Sequence, residues 1–330
     1  MLAILKLAIY NTFLMGGHSS VVERLVANEK VVGSSPIARS SIVQFFYMII
    51  WIASYPKSGN TYIRSFISSY YFSKKGKFDF DLLLNILQFP SLKFSKKNLY
   101  SDIEASQNWI YNQNQFFGGE KINFLKTHNS LNEFNGNKFT TNDQTVGAIY
   151  IVRDPRNLIT SLTHHYSLTY EEAYNKLMNK NENLLEKTND NDHSNFTFLG
   201  PWSNHYRSWK NCKDFKTLFI KYEDIEYEKY DTFKKIILFI NNISKKETKI
   251  DEKKLINSIN STNFNNLKNK EENEGFVESV YSKETGQKKR FFNLGFNNRW
   301  EKILPKDILN KLNENLQNEL NELGYSLKND

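Results

Sequence analysis

Four short apolar runs break up an otherwise polar chain. They are residues 49–53 (IIWIA), 122–126 (INFLK), 146–152 (VGAIYIV) and 216–222 (KTLFIKY). Each is short, rich in β-branched and aromatic residues and without clean alternation, as expected of strands buried on both faces of a parallel sheet. Between and after them apolar residues recur at helical spacing over 62–71, 102–117, 155 to about 168, 200–209, 227–243, 255–270 and 305–323. In the second of these, Ile103, Trp109 and Ile110 are offered to a core. Residues 78–101 show no clear period and predict short helices and loops. Strands alternating with helices predict an α/β fold: a doubly wound parallel sheet flanked by helices on both faces.

The ends of these strands carry the chemistry. Residues 54–61 form a small polar loop with Pro56, Lys57 and Gly59, set between the first strand and a helix beginning near Tyr62. A helix N-terminus presents free N–H groups and the positive end of its dipole, so strand, Gly-containing loop and helix together make an anion site. Lys57 adds a full charge. The nucleotide-kinase loop GxxxxGK[ST] is absent, because here the Lys precedes the Gly by two residues. The second run is followed by Thr127 and His128, and a His at the carboxyl end of a parallel strand lies on the ligand-binding rim. Such a His is more often structural than catalytic, and spacing alone leaves both open. The third run ends in RDPR: Asp154 suits a helix N-cap and Pro155 the first helical position, with Arg153 at the switch. His164 and His165 are adjacent, so they point in different directions from one helix and read as packing or pocket-lining residues rather than metal ligands.

Composition narrows the ligand without naming it. The 330 residues are 39% hydrophobic and 15% aromatic, enough for a sizeable core. The net charge of +8 suits an anionic partner, but the basic residues are scattered, which disfavours a nucleic-acid stripe. The single cysteine, Cys212, excludes internal disulfides and a cysteine-based zinc cluster, and fits a reducing compartment. No apolar run approaches the ~18 residues of a membrane span. A cytoplasmic location is the expectation, and nothing sets the oligomeric state.

Several motifs resemble one family. YPKSGNTY (55–62) resembles the 5′-phosphosulfate loop of the cytosolic-type sulfotransferases, enzymes with a P-loop-like fold that use 3′-phosphoadenosine 5′-phosphosulfate (PAPS). LKTH (125–128) looks like the family's KTH motif. RDPRNLITSL (153–162) resembles its 3′-phosphate motif, with Arg153 and Ser161 at the phosphate-binding positions. GPWSNHYRSW (200–209) looks like its GxWxxHxxxW helix, where Trp202, His205 and Trp209 read mostly as core. KYED, ending the fourth run, places Tyr222 at an adenine-contacting position. STNF (261–264) places Thr262 and Phe264 at nucleotide-contacting ones. The resemblance spans nearly all of residues 49–326. It implies sulfuryl transfer to a hydroxyl or amine of a small-molecule, lipid or glycan acceptor, without a metal. His128 is the implied general base, Lys57 stabilises the leaving oxygen, and Ser58, Gly59, Asn60, Thr61 and Tyr62 hold the 5′-phosphate end.

One motif departs from the pattern. Where the family has RKGxxGDW, this chain has NLGFNNRW (293–300): Gly295 and Trp300 remain, but the Arg-Lys pair is Asn293-Leu294. Two charge-assisted phosphate bonds, each worth about 1.5–3 kcal/mol, are missing. Lys288, Lys289 and Arg290 just upstream are the expected substitutes. A nucleotide kinase-like phosphotransferase and a non-catalytic nucleotide-binding module are the alternative readings.

Residues 1–47 look foreign to the rest. From Met48 the chain is rich in Asn, Lys and Ile, whereas before it only Asn11, Asn28, Lys6 and Lys30 represent the first two types. Residues 19–40 read like the conceptual translation of a tRNA gene. The expectation is a single domain over 48–330 and a spurious or disordered extension over 1–47. The rivals are a weak signal peptide at 2–15 and a genuine N-terminal arm.

Overall fold

The structure, a computed structural model, describes residues 49–326 apart from 118–121, 186–190, 246–248 and 283–284. The predicted extension over 1–47 lies outside the described residues.

β1 (Ile49–Ser54) is buried along its whole length. It is the central strand of a five-stranded parallel sheet, with β2 (Ile86–Gln88), β3 (Asn123–Thr127), β4 (Thr145–Val152) and β7 (Lys216–Lys221) in the order β2-β3-β1-β4-β7. The two central neighbours, β3 and β4, pair with β1 on either side, which is why these runs are continuously apolar. A separate antiparallel pair joins β5 (Asn183–Leu184) and β6 (Thr197–Phe198).

Alternation along each strand feeds two cores. Trp51, Ala53, Leu125, Tyr150, Trp202 and Trp209 pack on one face; Ile50, Ile52, Ile149, Ile151, Phe66 and Phe233 pack on the other. Helices cover both: α4 (Tyr170–Met178) and α5 (Trp202–Lys210) belong to the first, α1 (Asn60–Phe72) and α6 (Lys229–Ile243) to the second. The doubly wound α/β expectation holds.

The departures are local. Residues 78–101 contain β2, a three-residue edge strand too short to show a period, between short turns of 3₁₀ helix. In α2 (Asp102–Phe117) Trp109 is buried, but Ile103 is 48% exposed and does not join the core. The pattern over 255–270 is two helices, α7 (Glu252–Ser261) and α8 (Phe264–Glu274), because the Asn263 side chain caps the second by accepting from Asn266 N–H. The C-terminal pattern is likewise divided at Leu316, into α9 (Lys306–Asn315) and α10 (Gln317–Glu322).

Candidate active site

All five parallel strands end on one rim, and a cavity of about 600 Å³ opens there. The loop after β1 forms its floor. Lys57 and Gly59 both take positive φ, 69° and 96°, which turns the chain sharply from strand into α1. At Gly59 no other residue fits: a Cβ would stand 2.4 Å from Cδ2 of Tyr222. α1 then begins without a side-chain cap and without an acidic residue in its first turn. Its free N–H groups are therefore left to a ligand. Ser58 Oγ is buried and, among the described residues, has no hydrogen-bond partner. A buried hydroxyl, an uncapped helix end and a local excess of cations fit the phosphate end of an anionic donor.

Lys57 is half-buried over this floor. Its Nζ lies 4.0 Å above the ring of Phe291 and 3.3 Å from Nδ1 of His165. Burial lowers the Lys57 pKa to about 7; Arg153 and Lys126 push the same way, against Glu278. Burial, then the charge of Lys57, lowers that of His165 to about 3. His165 is therefore neutral, and the ammonium donates to it.

His128 follows β3 directly. Its Nδ1 lies 2.7 Å from the carbonyl oxygen of Ser54 and 3.3 Å from Ser54 Oγ. A carbonyl can only accept, so Nδ1 carries the proton and Nε2 keeps its lone pair. Burial, reinforced by Lys126, holds the imidazole pKa well below its ordinary value, so the ring is neutral. Asn60 joins the same network: its Nδ2 donates to Ile52 O at 2.9 Å and to Ser54 Oγ at 3.2 Å. The backbone beneath is held by α5. His205 Nε2 donates to His128 O at 2.9 Å, Tyr150 donates to His205 Nδ1 at 2.8 Å, and Trp209 Nε1 donates to Asn129 O at 3.0 Å. Trp202, His205 and Trp209 are core, as read from sequence, and through His205 and Trp209 the helix also braces the backbone at His128.

Arg153 follows β4. It donates to the carbonyl oxygen of Lys57 at 3.0 Å and lies 4.4 Å above the ring of Tyr222. Asp154 caps α3 (Pro155–Tyr166) through Arg156 N–H, as its sequence predicts. That helix places Ser161, His164 and His165 on the cavity wall. Tyr62, Tyr222 and Phe264 also line it and present aromatic rings suited to a planar base. Gly295 closes against Phe264, with φ 57° and room for no Cβ, which would stand 2.6 Å from that ring.

The chain belongs to the sulfotransferase family. Residues 49–324 match the model of the sulfotransferase domain, most of the chain. Among named relatives, flavonol 3-sulfotransferase of Flaveria bidentis is 23% identical over 288 residues, covering 84% of each chain. Similar solved structures include retinol dehydratase with androsterone and the inactive cofactor PAP, and the same enzyme with retinol and PAP. The first is 15% identical, the second 16%; in each case the likeness covers 85% of this chain and 82% of the other, with a TM-score of 0.51. The fold is thus that of these enzymes, and the protein is a sulfotransferase.

Of the sites expected from sequence, Lys57, His128, Gly59, Asn60, Thr61, Tyr62, Arg153, Ser161, Tyr222, Phe264 and Gly295 all line the cavity, with Ser58 buried in the loop beneath it. Three others, Thr262, Lys289 and Arg290, are engaged outside it. The Thr262 hydroxyl is spent on Ser258 O at 2.7 Å, at the end of α7. Lys289 donates to His164 O and Ser167 Oγ, both at 2.8 Å, and so caps the end of α3. Arg290 is exposed and paired with Glu272 at 3.1 Å. Two of the three basic residues expected to replace the missing Arg-Lys pair thus have partners outside the cavity, the third, Lys288, is exposed, and Asn293, Leu294 and Asn298 line that part of the wall.

Lys126 and Glu278 escaped the sequence reading. Lys126 is buried on the α1 face of β3. A lysine on the inner face of an otherwise apolar strand was the available signal. Glu278 comes from a segment with no periodicity. Among the described residues, no group of three or more His, Cys, Asp or Glu is placed to hold a metal, and no helix is long and apolar enough to cross a membrane.

Proposed function

We propose that this sulfotransferase takes its sulfuryl group from PAPS and passes it to a hydroxyl or amine of a small acceptor, with His128 as general base and Lys57 at the leaving oxygen. The observation that carries this reading is the pairing of an unprotonated His128 Nε2, fixed by the Nδ1–Ser54 contact, with the Lys57 ammonium across one cavity. PAPS, when bound, supplies an activated sulfuryl group. The loop at Ser58–Thr61 and the N-terminus of α1 would hold its 5′-phosphate end, Arg153 and Ser161 its 3′-phosphate, and Tyr62, Tyr222 and Phe264 its base. His128 Nε2 accepts the proton that the acceptor loses as it attacks. Lys57 exchanges its hydrogen bond to His165 for the oxygen that gains charge on the nucleotide side. Positioning and preorganised charge supply the rest, and no metal is needed for this chemistry. The acceptor end, with Gln88, Leu184, Leu185, Asn195 and Thr197, mixes apolar and hydrogen-bonding side chains and fits a compact acceptor.

Substitution tests the two assigned roles. His128→Ala should lose about 10²–10⁴-fold in kcat, the usual worth of a positioned base. Lys57→Ala should lose kcat comparably while keeping affinity for adenosine 3′,5′-bisphosphate within a small factor. Wild-type turnover in either folded variant removes that residue from the mechanism.

A further inference from the structure

The cavity already holds an anion, supplied by the chain itself. Glu278 lies between α8 and the Gly295 loop, in a stretch where Phe276 is buried but Val277 is 93% exposed and Tyr281 67%. The Glu278 side chain turns the other way. Its Oε2 accepts from Thr61 Oγ1 at 2.9 Å and its Oε1 from Arg64 Nη1 at 2.6 Å, with Lys126 Nζ 3.7 Å away. Thr61 belongs to the first turn of α1, the uncapped anion-binding end. Burial alone would raise the pKa of this carboxyl; Lys126 and Arg64 more than reverse that and hold it far below the usual carboxylate range. It is therefore fully charged at neutral pH.

We propose that the Glu278 carboxylate occupies the donor's anion position in the unliganded enzyme, and that the donor must displace it to bind. The inference rests on reading the cavity as the donor site. The donor brings its own negative oxygens to Thr61 and Lys126, and two anions cannot share these partners without strong like-charge repulsion. The base of the Glu278 segment is tied independently of the carboxylate. Glu271 accepts from Phe291 N–H at 2.7 Å, Phe292 N–H at 2.8 Å and Ser279 Oγ at 2.6 Å. Residues 277 and 278 can thus swing out while the aromatic wall behind Lys57 stays in place. Until displaced, Glu278 also neutralises buried cations that would otherwise repel one another.

The test is calorimetric titration of adenosine 3′,5′-bisphosphate into the full-length wild type, Glu278→Gln and Glu278→Ala, with thermal melts in the presence and absence of sulfate. Removing the competing charge should tighten binding about tenfold or more, equivalent to about 1.4 kcal/mol. The unliganded variants should melt below wild type, and sulfate should raise their Tm by more than it raises that of wild type. Equal or weaker binding by folded variants overturns the inference and leaves the donor reading standing. No binding by any of the three overturns both. Should both variants fail to fold, amide exchange in wild type decides: exchange of the Ser279 N–H, which donates to Phe276 O at 3.2 Å across the two swinging residues, should quicken on saturation with the bisphosphate, and unchanged or slower exchange would sink the proposal.

Discussion

In the proposed mechanism Lys57 and His128 face opposite protonation demands, and the burial they share serves only the histidine. Desolvation lowers the pKa of each, which keeps His128 able to accept a proton but brings Lys57 to about 7. The sign of the pH dependence follows. In the free enzyme His128 is already neutral well below its ordinary value of about 6.5, so no loss of activity from its protonation is expected there. Lys57 loses its charge as pH rises through about 7. The pH profile of kcat/KM for the donor should therefore hold on the acid side and fall through about 7. A fall on the acid side near 6.5 with a level alkaline side would show that the histidine, not the lysine, limits the free enzyme. That these two residues reach the cavity was legible because each follows an apolar run within a dense motif. Lys289 and Arg290 were misplaced because charge alone does not say which way a loop turns. Their chain positions adjoin the Gly295 loop, yet their side chains answer the carbonyls at the end of α3 and Glu272.

At the scale of elements, α5 is the clearest case of function carried indirectly. It contributes no group to the chemistry, but His205 and Trp209 fix the backbone of 128–129. His205→Phe should lower kcat while leaving bisphosphate affinity near wild type, and should destabilise the fold by about 1–3 kcal/mol through the unpaired His128 carbonyl and Tyr150 hydroxyl. Equal losses of kcat and donor affinity would instead mean that the brace serves the whole cavity. The loop after β1 is more demanding. Gly59→Ala adds a methyl against Tyr222 at positive φ, which should cost stability and abolish donor binding together; a folded Gly59→Ala protein with normal affinity would show that Tyr222 can yield. The strands and first helices could be read from apolar runs because parallel strands buried on both faces have little room for polar residues. β2 and the residue 275–298 segment could not: one is three residues long, and the other is held by contacts such as Glu271 to Phe291 and Phe292 that leave no period.

For the whole molecule, the family match begins at residue 49, one residue after Met48. β1, the central strand, begins at that same residue. We infer that residues 48–330 are a self-sufficient domain: a protein starting at Met48 should match the full chain in Tm and turnover. A marked loss in either would assign residues 1–47 a part in the fold or the site. The cavity unites the residues that follow β1, β3, β4 and β7 with the segment before Trp300, so its lining depends on the sheet as one unit.

The central claim is sulfuryl transfer from PAPS, and it is tested most directly by incubating the enzyme with ³⁵S-labelled PAPS and a mixed pool of lipids, glycans and small alcohols and amines. The account predicts label in an acceptor product with wild type, and none above background with Lys57→Ala or His128→Ala. Tight binding of the bisphosphate product with no labelled acceptor from any pool, or equal labelling by wild type and both variants, would contradict it.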